Sequence, residues 1–409
     1  MKQQHISHNQ IERIMSAPQD ISQNKALLWF MATACGLCAG ANYYSQPLIH
    51  SIQQYFAVTE GQAALTVTFA QVSYALGLLF IVPMGDVVNK TKFIPLLMCL
   101  CALGLFVSAF SVNLPMLWLG TIMAGMFSVA AQILIPLATM TVNPEKTGEV
   151  VGFLMSGLLV GILLSTSLAG LFSNLFHWKM IYVVSGILML ILAYALKSRL
   201  PYVMRMKLNY GQVFVSMGQL LKQEKRLVLR ALSGAFAFAA VSILFSTIAL
   251  LLTAAHHLPD LMIGMVGLVG IFGALSTQYI GKYADQGYTK QLTWIGCGLF
   301  IMSWICFYFG QIYLLSYILG FALIQLALAL VHTSNQSIIF RLRPDAKSRI
   351  NAIYMTAYFT GGACGSALGI FSWNHGGWSM TCLVGICLVF ACMLFSFLDN
   401  RISAQSIQA

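Results

Sequence analysis

Apolar runs of about 20 residues recur from Ala26 almost to the end of this chain, each long enough to cross ~30 Å of hydrocarbon as a helix. That recurrence constrains the fold more than any motif does. Only 8% of the residues are charged and 59% are hydrophobic, against roughly a quarter charged in ordinary soluble domains. So few charges cannot clothe a water-facing surface, so most of the chain must have lipid as its solvent. Expected spans are Leu27–Ile49, Gln62–Val82, Phe93–Val112, Met116–Thr141, Gly148–Phe172 and Trp178–Leu196 in the first half. Leu227–Ala255, Leu261–Ile280, Gln291–Gly310, Ile312–Thr333, Ser348–Ser372 and Trp378–Leu398 follow in the second, twelve in all. The reading is an all-α integral membrane protein.

Charge sets the orientation. The segment before Lys25 is polar and has no apolar h-region, which reads as a cytoplasmic tail rather than a signal peptide. With that end inside, 21 of the 22 lysines and arginines fall on the cytoplasmic side and only Lys179 lies outside, a bias that fixes both termini in the cytoplasm. The net charge of +11 is then a topology signal with possible contact to anionic lipid, not the footprint of nucleic acid. All ten cysteines lie inside apolar runs. Cys35-x-x-Cys38 has no second pair beside it, so no metal or disulfide is expected.

The one long connection carries Val213, Phe214, Met217, Leu220 and Leu221 at helical spacing beside Lys222, Glu224, Lys225 and Arg226, which predicts an amphipathic helix at the cytoplasmic interface. On either side the chain repeats itself. Asp86 and Asp285 are 199 positions apart; Pro144-Glu145-Lys146 and Pro344-Asp345-Ala346, Met155 and Met355, Gly161 and Gly361, and Trp178 and Trp378 are 200 apart. The organisation expected is a tail at 1–25, six helices at 26–197, a linker at 198–226, six more helices at 227–398 and a tail at 399–409. Two such halves about a midplane site is a transporter architecture.

The loop Val82-Pro83-Met84-Gly85-Asp86-Val87-Val88-Asn89-Lys90, with its second copy Gly281-Lys282-Tyr283-Ala284-Asp285 and the basic Lys290, resembles the loop motif of the major facilitator superfamily. The first copy departs from it at Val82, Val87 and Asn89. Ala41-Asn42-Tyr43-Tyr44-Ser45-Gln46-Pro47-Leu48 resembles a first-span motif of the drug:proton antiporter and sugar-efflux branch. Gly152, Gly157, Gly161 and Gly170 match that branch's fifth-span glycine motif in part, with Ile162 where it has proline. The resemblance implies that Asp86 and Lys90, with Asp285 and Lys290, work a cytoplasmic gate. It places the partner of Asp86 at the start of span eleven, near Lys347 and Arg349. A carboxylate facing a helix N-terminus is worth about 0.3–1 kcal/mol; the plainer alternative is a polar loop that only holds topology.

The resemblance also implies that spans one, four, seven and ten line the cavity. Substrate contacts are therefore expected from Asn42, Tyr43, Tyr44, Gln46, Gln132 and Gln325, with Gln71 adding an amide, although buried amides serve equally as glue between helices. Gly152, Gly157 and Gly161 suit close helix packing. None of the eleven carboxylates, and no lysine or arginine, is expected deep in a span. Such groups mark ion or proton sites, so their absence points to a neutral, zwitterionic or weakly anionic substrate. If protons are coupled, Asp86, Glu149 or His332 is left to carry them, or the substrate itself; His332 is placed toward the cytoplasmic end of span ten, where a hydrogen-bonded helix-end role competes.

These readings converge on a monomeric secondary transporter of a bacterial inner membrane, exporting a small organic compound against protons. Uptake or facilitated diffusion of a sugar- or nucleoside-like metabolite is the rival within transport, and a non-transporting sensor or scaffold is the rival outside it. Neither a clustered catalytic set nor a phosphate-binding Gly-x-x-x-x-Gly-Lys motif is present, so no enzyme and no cofactor is expected.

Overall fold

The structure, a computed structural model, describes residues 20–203, 209–258 and 268–408, together with 262 and 266. Most of the N-terminal tail, with Lys2, Glu12 and Arg13, part of the linker, Asp260 and the start of the expected eighth span lie outside the described residues.

Among the described residues the apolar runs fold as helix, because in lipid the backbone must satisfy its own hydrogen bonds. In chain order the helices are α1 Lys25–Gly40, α2 Ile49–Phe56, α3 Glu60–Phe80, α4 Lys90–Ala109, α5 Leu114–Phe127, α6 Ala130–Met140, α7 Thr147–Leu175 and α8 Met180–Lys197. The linker helix α9 spans Tyr210–Gln223; then come α10 Lys225–His256, α11 Ile271–Tyr283, α12 Thr289–Gly310, α13 Leu314–Leu342 and α14 Lys347–Gln408. Among the described residues nine segments are long and apolar enough to cross a membrane. One of these folds back at Gly287 (φ 92°) and another at Gly376–Gly377 (φ 60° at Gly377), where glycine alone adopts the left-handed backbone cheaply. With the shorter apolar α1, this is consistent with twelve crossings.

Three boundaries differ from expectation. The first span breaks after Gly40, with turns over 41–48 before α2, where Asn42 and Tyr43 bond back three residues instead of four. The fourth is interrupted between α5 and α6 at Ser128–Val129. The tenth runs nine residues past Thr333 to Leu342, since its polar residues are buried in protein instead of ending the helix at the interface.

The helices form two bundles, α1–α8 and α10–α14, that meet along α7 against α11 and α13, and along α14 against α3, α6 and the turn Val82–Asp86. Apolar side chains remain exposed on the outside, Phe272 at 76% and Leu315 at 77%, as lipid-facing surface requires. The end of the molecule that carries Asp86, Asp285 and most of the lysines and arginines is called the basic end below.

Small residues set how closely the helices approach. A side chain on Gly36 of α1 would press on Gly157 and Gly161 of α7. The second bundle has a similar contact, Gly361, 200 positions after Gly161, and Gly365 of α14 lying against Ala235 and Ala239 of α10. Gly152 plays a different part, lying against Thr277 of α11 across the line between bundles. Gly36→Val should therefore cost about 1–3 kcal/mol by overpacking and lower the midpoint of thermal unfolding in detergent. Gly170→Val, where a Cβ meets nothing within 4 Å, should leave that midpoint unchanged.

Candidate functional site

Two carboxylates close the basic end, each on the helix start of the opposite bundle. Asp86, 2% exposed, ends a short 3₁₀ turn whose Pro83 and Gly85 steer it inward. Its Oδ1 accepts from the Ser348 backbone N–H at 3.0 Å, and its Oδ2 accepts from the Arg349 N–H and Nε, both at 3.1 Å. Lys90 approaches to 3.7 Å. Asp285 does the same to α7: the N–H groups of Gly148 and Glu149 donate to it at 2.7 and 2.9 Å, and Arg341 at 2.6 Å. The first amides of a helix have no intrahelical acceptor and carry the positive end of its dipole, so a carboxylate there neutralises both deficits.

Around this pair the bundles are tied further. Lys347 Nζ donates to the Thr139 carbonyl at 2.6 Å, and Asn351 Nδ2 donates to the carbonyl and Oε1 of Gln132 at 2.8 and 3.2 Å. Gln132 in turn donates to the Tyr74 hydroxyl at 3.2 Å. Higher up, Thr277 of α11 bonds Ser156 and the Gly152 carbonyl of α7. The linker helix joins in: Tyr210 donates to the Phe80 carbonyl of α3 at 3.0 Å, and Arg349 Nη1 donates to Ser216 at 2.7 Å. Its Val213, Met217 and Leu220 are buried while Leu221 is exposed. Arg343, outside the spans, is held above its usual range by the hydrogen bond and charge of Asp345 and by Glu224 of the linker. Among the described residues, no side-chain hydrogen bond joins the bundles beyond the Ser156–Thr277 level.

Above the two carboxylates lies an aromatic constellation shared by both bundles. Phe238 of α10 stacks on Tyr358 of α14 at 4.2 Å, Phe359 meets Tyr74 of α3 edge-on at 5.1 Å, and His332 of α13 lies 4.7 Å from Tyr358. Tyr43 lies near this group, with the Gln71 amide on its hydroxyl side. His332 Nδ1 is 2.9 Å from the Tyr354 hydroxyl. His332 and Gln132, 200 positions apart, thus each hold a tyrosine hydroxyl.

The expected substrate residues separate accordingly. Tyr43 and Gln71 reach the constellation. Tyr44 turns into the first bundle, accepting from Ser185 at 2.8 Å, and Asn42 donates to Ser128 at the break between α5 and α6, 2.8 Å away. Gln46 is exposed in the turns after α1. Gln132 is engaged by Asn351, and Gln325 packs its Cβ against Gly273 of α11. Around Asp285, Lys290 is exposed, Arg341 pairs with the carboxylate and Glu149 contributes its backbone N–H. Sequence reasoning missed Arg341, Asn351, Tyr354 and Tyr358, although the four-residue spacing of the two tyrosines was available as a shared helix face.

Sequence reasoning also missed a buried ion pair close to the start of one helix and the end of another. Arg230, in the first turns of α10, is 1% exposed and Asp399 of α14 is fully buried. Arg230 and Arg226 clamp Asp399 at 2.6 and 2.9 Å, and Arg230 also donates to Thr293 and Asn335 at 3.4 and 3.1 Å. Such a charge is tolerated because every donor finds a partner. At the matching place in the first bundle, Arg199 lies over the ring of Phe30, 5.0 Å from its centre.

Residues 31–366 match the family model of the Major Facilitator Superfamily. The chain belongs to that superfamily. It is 42% identical to the transporter YgaY of Escherichia coli over 362 residues, which is 88% of this chain and 92% of the relative. It is 27% identical to the transporter SCO4007 of Streptomyces coelicolor over 356 residues, 86% of this chain and 82% of that one. Among solved structures, the human organic anion transporter MFSD10 (TETRAN) superposes with a TM-score of 0.74 at 14% identity, covering 92% of this chain and 99% of that one. The proton:xylose symporter XylE superposes at 0.68 and 13%, covering 91% and 96%. The expectations of the superfamily fold and of a secondary transporter therefore hold.

The two carboxylates are not equally enclosed. Removing one member of a buried pair costs about 3–5 kcal/mol, whereas exposed pairs are worth about 0–1 kcal/mol. Arg349 is 4% exposed beside Asp86, and Arg341 is 43% exposed beside Asp285. Asp86→Ala should therefore open the basic end far more than Asp285→Ala, measured as the distance distribution between labels on the exposed Glu145 and Lys290.

Proposed function

We propose that the chain is a proton-coupled exporter of a small neutral or zwitterionic organic compound, working by alternating access in a bacterial inner membrane. The basic end is the cytoplasmic side, with the tails 1–25 and 399–409 there. The halves 26–197 and 227–398 rock about the constellation, tethered by 198–226. The reciprocal seating of Asp86 on α14 and Asp285 on α7 is the observation that carries this. It closes the cytoplasmic side through contacts that exist only while the halves are together, so the arrangement is the outward-facing one.

Tyr43, Gln71 and the aromatic rings supply a binding surface with no carboxylate in it, which suits an uncharged or internally compensated substrate. Asp86 is the group that ties protons to motion: protonation removes the charge that holds Ser348, Arg349 and Lys90, and releases the gate. Glu149, beside the second carboxylate, is the other acid in reach. Export accords with the first-span motif Ala41–Leu48.

Cells with the protein should accumulate less of at least one compound from a neutral and zwitterionic panel than cells without it, and a protonophore should erase the difference. Efflux that persists after proton collapse would sink the proton drive. In the same assay Asp86→Asn should slow turnover about tenfold, equivalent to ~1.4 kcal/mol, with little change in KM. Loss of binding at unchanged turnover would remove Asp86 from the gate.

A further inference from the structure

The buried charge pair and the constellation are joined by one directed chain of hydrogen bonds. Arg230 is always protonated and can only donate. Its Nη1 therefore points at Asn335 Oδ1, 3.1 Å away, which fixes the orientation of that amide. Asn335 Nδ2 must then be a donor, reaching the Arg230 carbonyl at 3.4 Å, with its N–H side also turned toward the Tyr354 hydroxyl. With a donor turned toward its oxygen, the buried Tyr354 hydroxyl is left to donate to its hydrogen-bond partner His332 Nδ1, at 2.9 Å. Tyr354 is held there by packing, since its hydroxyl lies where a Cβ on Gly234 would stand. Asn335 and Tyr354 are fully buried and His332 is 7% exposed. Its Nε2 has no partner among the described residues, yet it is not one of the unpartnered atoms closed off from solvent.

We infer that His332 is a specificity residue of the transport site: a neutral imidazole carrying its proton on Nε2 and donating it to a hydrogen-bond acceptor of the substrate. The tautomer is set through the chain that begins at the Arg230–Asp399 pair. This makes Arg230, Asn335 and Tyr354 positioning residues. The substrate class narrows to compounds with a carbonyl, hydroxyl or ether oxygen beside a flat apolar body that fits Phe238, Tyr358 and Phe359. The groups facing His332 agree with this role. Tyr354 and Tyr358 lie on α14, Arg230 reaches it from α10 through Asn335, and Tyr43 and Tyr74 stand beyond Tyr358 on the first bundle; no carboxylate is among them. The inference rests on the proposed location of the substrate site, and it moves His332 from the proton side of the mechanism to the substrate side.

The test is nitrogen NMR of full-length protein labelled with 15N-histidine, the His332 signals being those lost in His332→Gln. Wild-type protein should show His332 protonated on Nε2 and bare on Nδ1, and Tyr354→Phe should give a mixture of tautomers. A proton on Nδ1 in the wild type, or a Tyr354→Phe spectrum identical to it, overturns the assignment. Acetophenone should shift the Nε2–H resonance, whereas ethylbenzene, of similar shape without the oxygen, should not. Equal shifts, or none from either, overturn the acceptor rule. These readouts need no transport, so a failed export assay with the expected spectrum counts against the exporter reading alone, and the converse counts against this inference alone.

Discussion

The closed end of this protein depends on a deficit that every helix has. The first backbone N–H groups of a helix lack intrahelical acceptors, and when such a start is pressed against another bundle it needs an acceptor from outside. Here α7 and α14 each take a carboxylate from the opposite half. Much of the surrounding structure serves that contact. Gly85 lets the Asp86 turn approach Ser348, and Gly148 and Gly281 let α7 and α11 touch. Because separated amides and carboxylates would both find water, the exchange is one set of hydrogen bonds for another and its net free energy is modest. That is what a gate requires: specific when shut, and not so strong that it stays shut.

How much was legible in the sequence follows from what lipid does to sequence signals. The runs, their number and the repeat near 200 residues are plain because hydrocarbon demands length and low charge. The paired aspartates could be found because a carboxylate between apolar runs is rare. Which face of a helix looks inward was not legible, because a helix with lipid on one side and protein on the other is apolar all round. Tyr44 and Gln132 therefore read as cavity residues, while the structure turns one into the first bundle and engages the other with Asn351. Arg230 went unremarked for a related reason: proximity to a basic stretch hides that its side chain runs inward to Asp399.

The two walls of the central region are chemically unlike. Residues 331–340 of α13 are all buried, and they include His332, Thr333, Ser334, Asn335, Gln336 and Ser337. The matching stretch 131–139 of α6 is as buried but apolar apart from Gln132 and Thr139. Hydrogen-bonding capacity is therefore concentrated on the second bundle, and the first offers mainly shape and aromatic faces. A molecule passing between them would be oriented by this inequality, its polar edge toward α13.

The Arg199–Phe30 and Arg230–Asp399 contacts say something about how the halves diverged. Positions 30 and 230, and 199 and 399, correspond at an offset of 200, yet the cation sits just past the later helix α8 in one half and on the earlier helix α10 in the other. One contact is a cation over a ring and the other an ion pair. What descended from the common unit is a place where two helices must be fastened; the fastening itself was replaced. Ancestry in this molecule is thus recorded in the location of contacts, and a comparison of the halves by residue type alone would overlook their relation at this point.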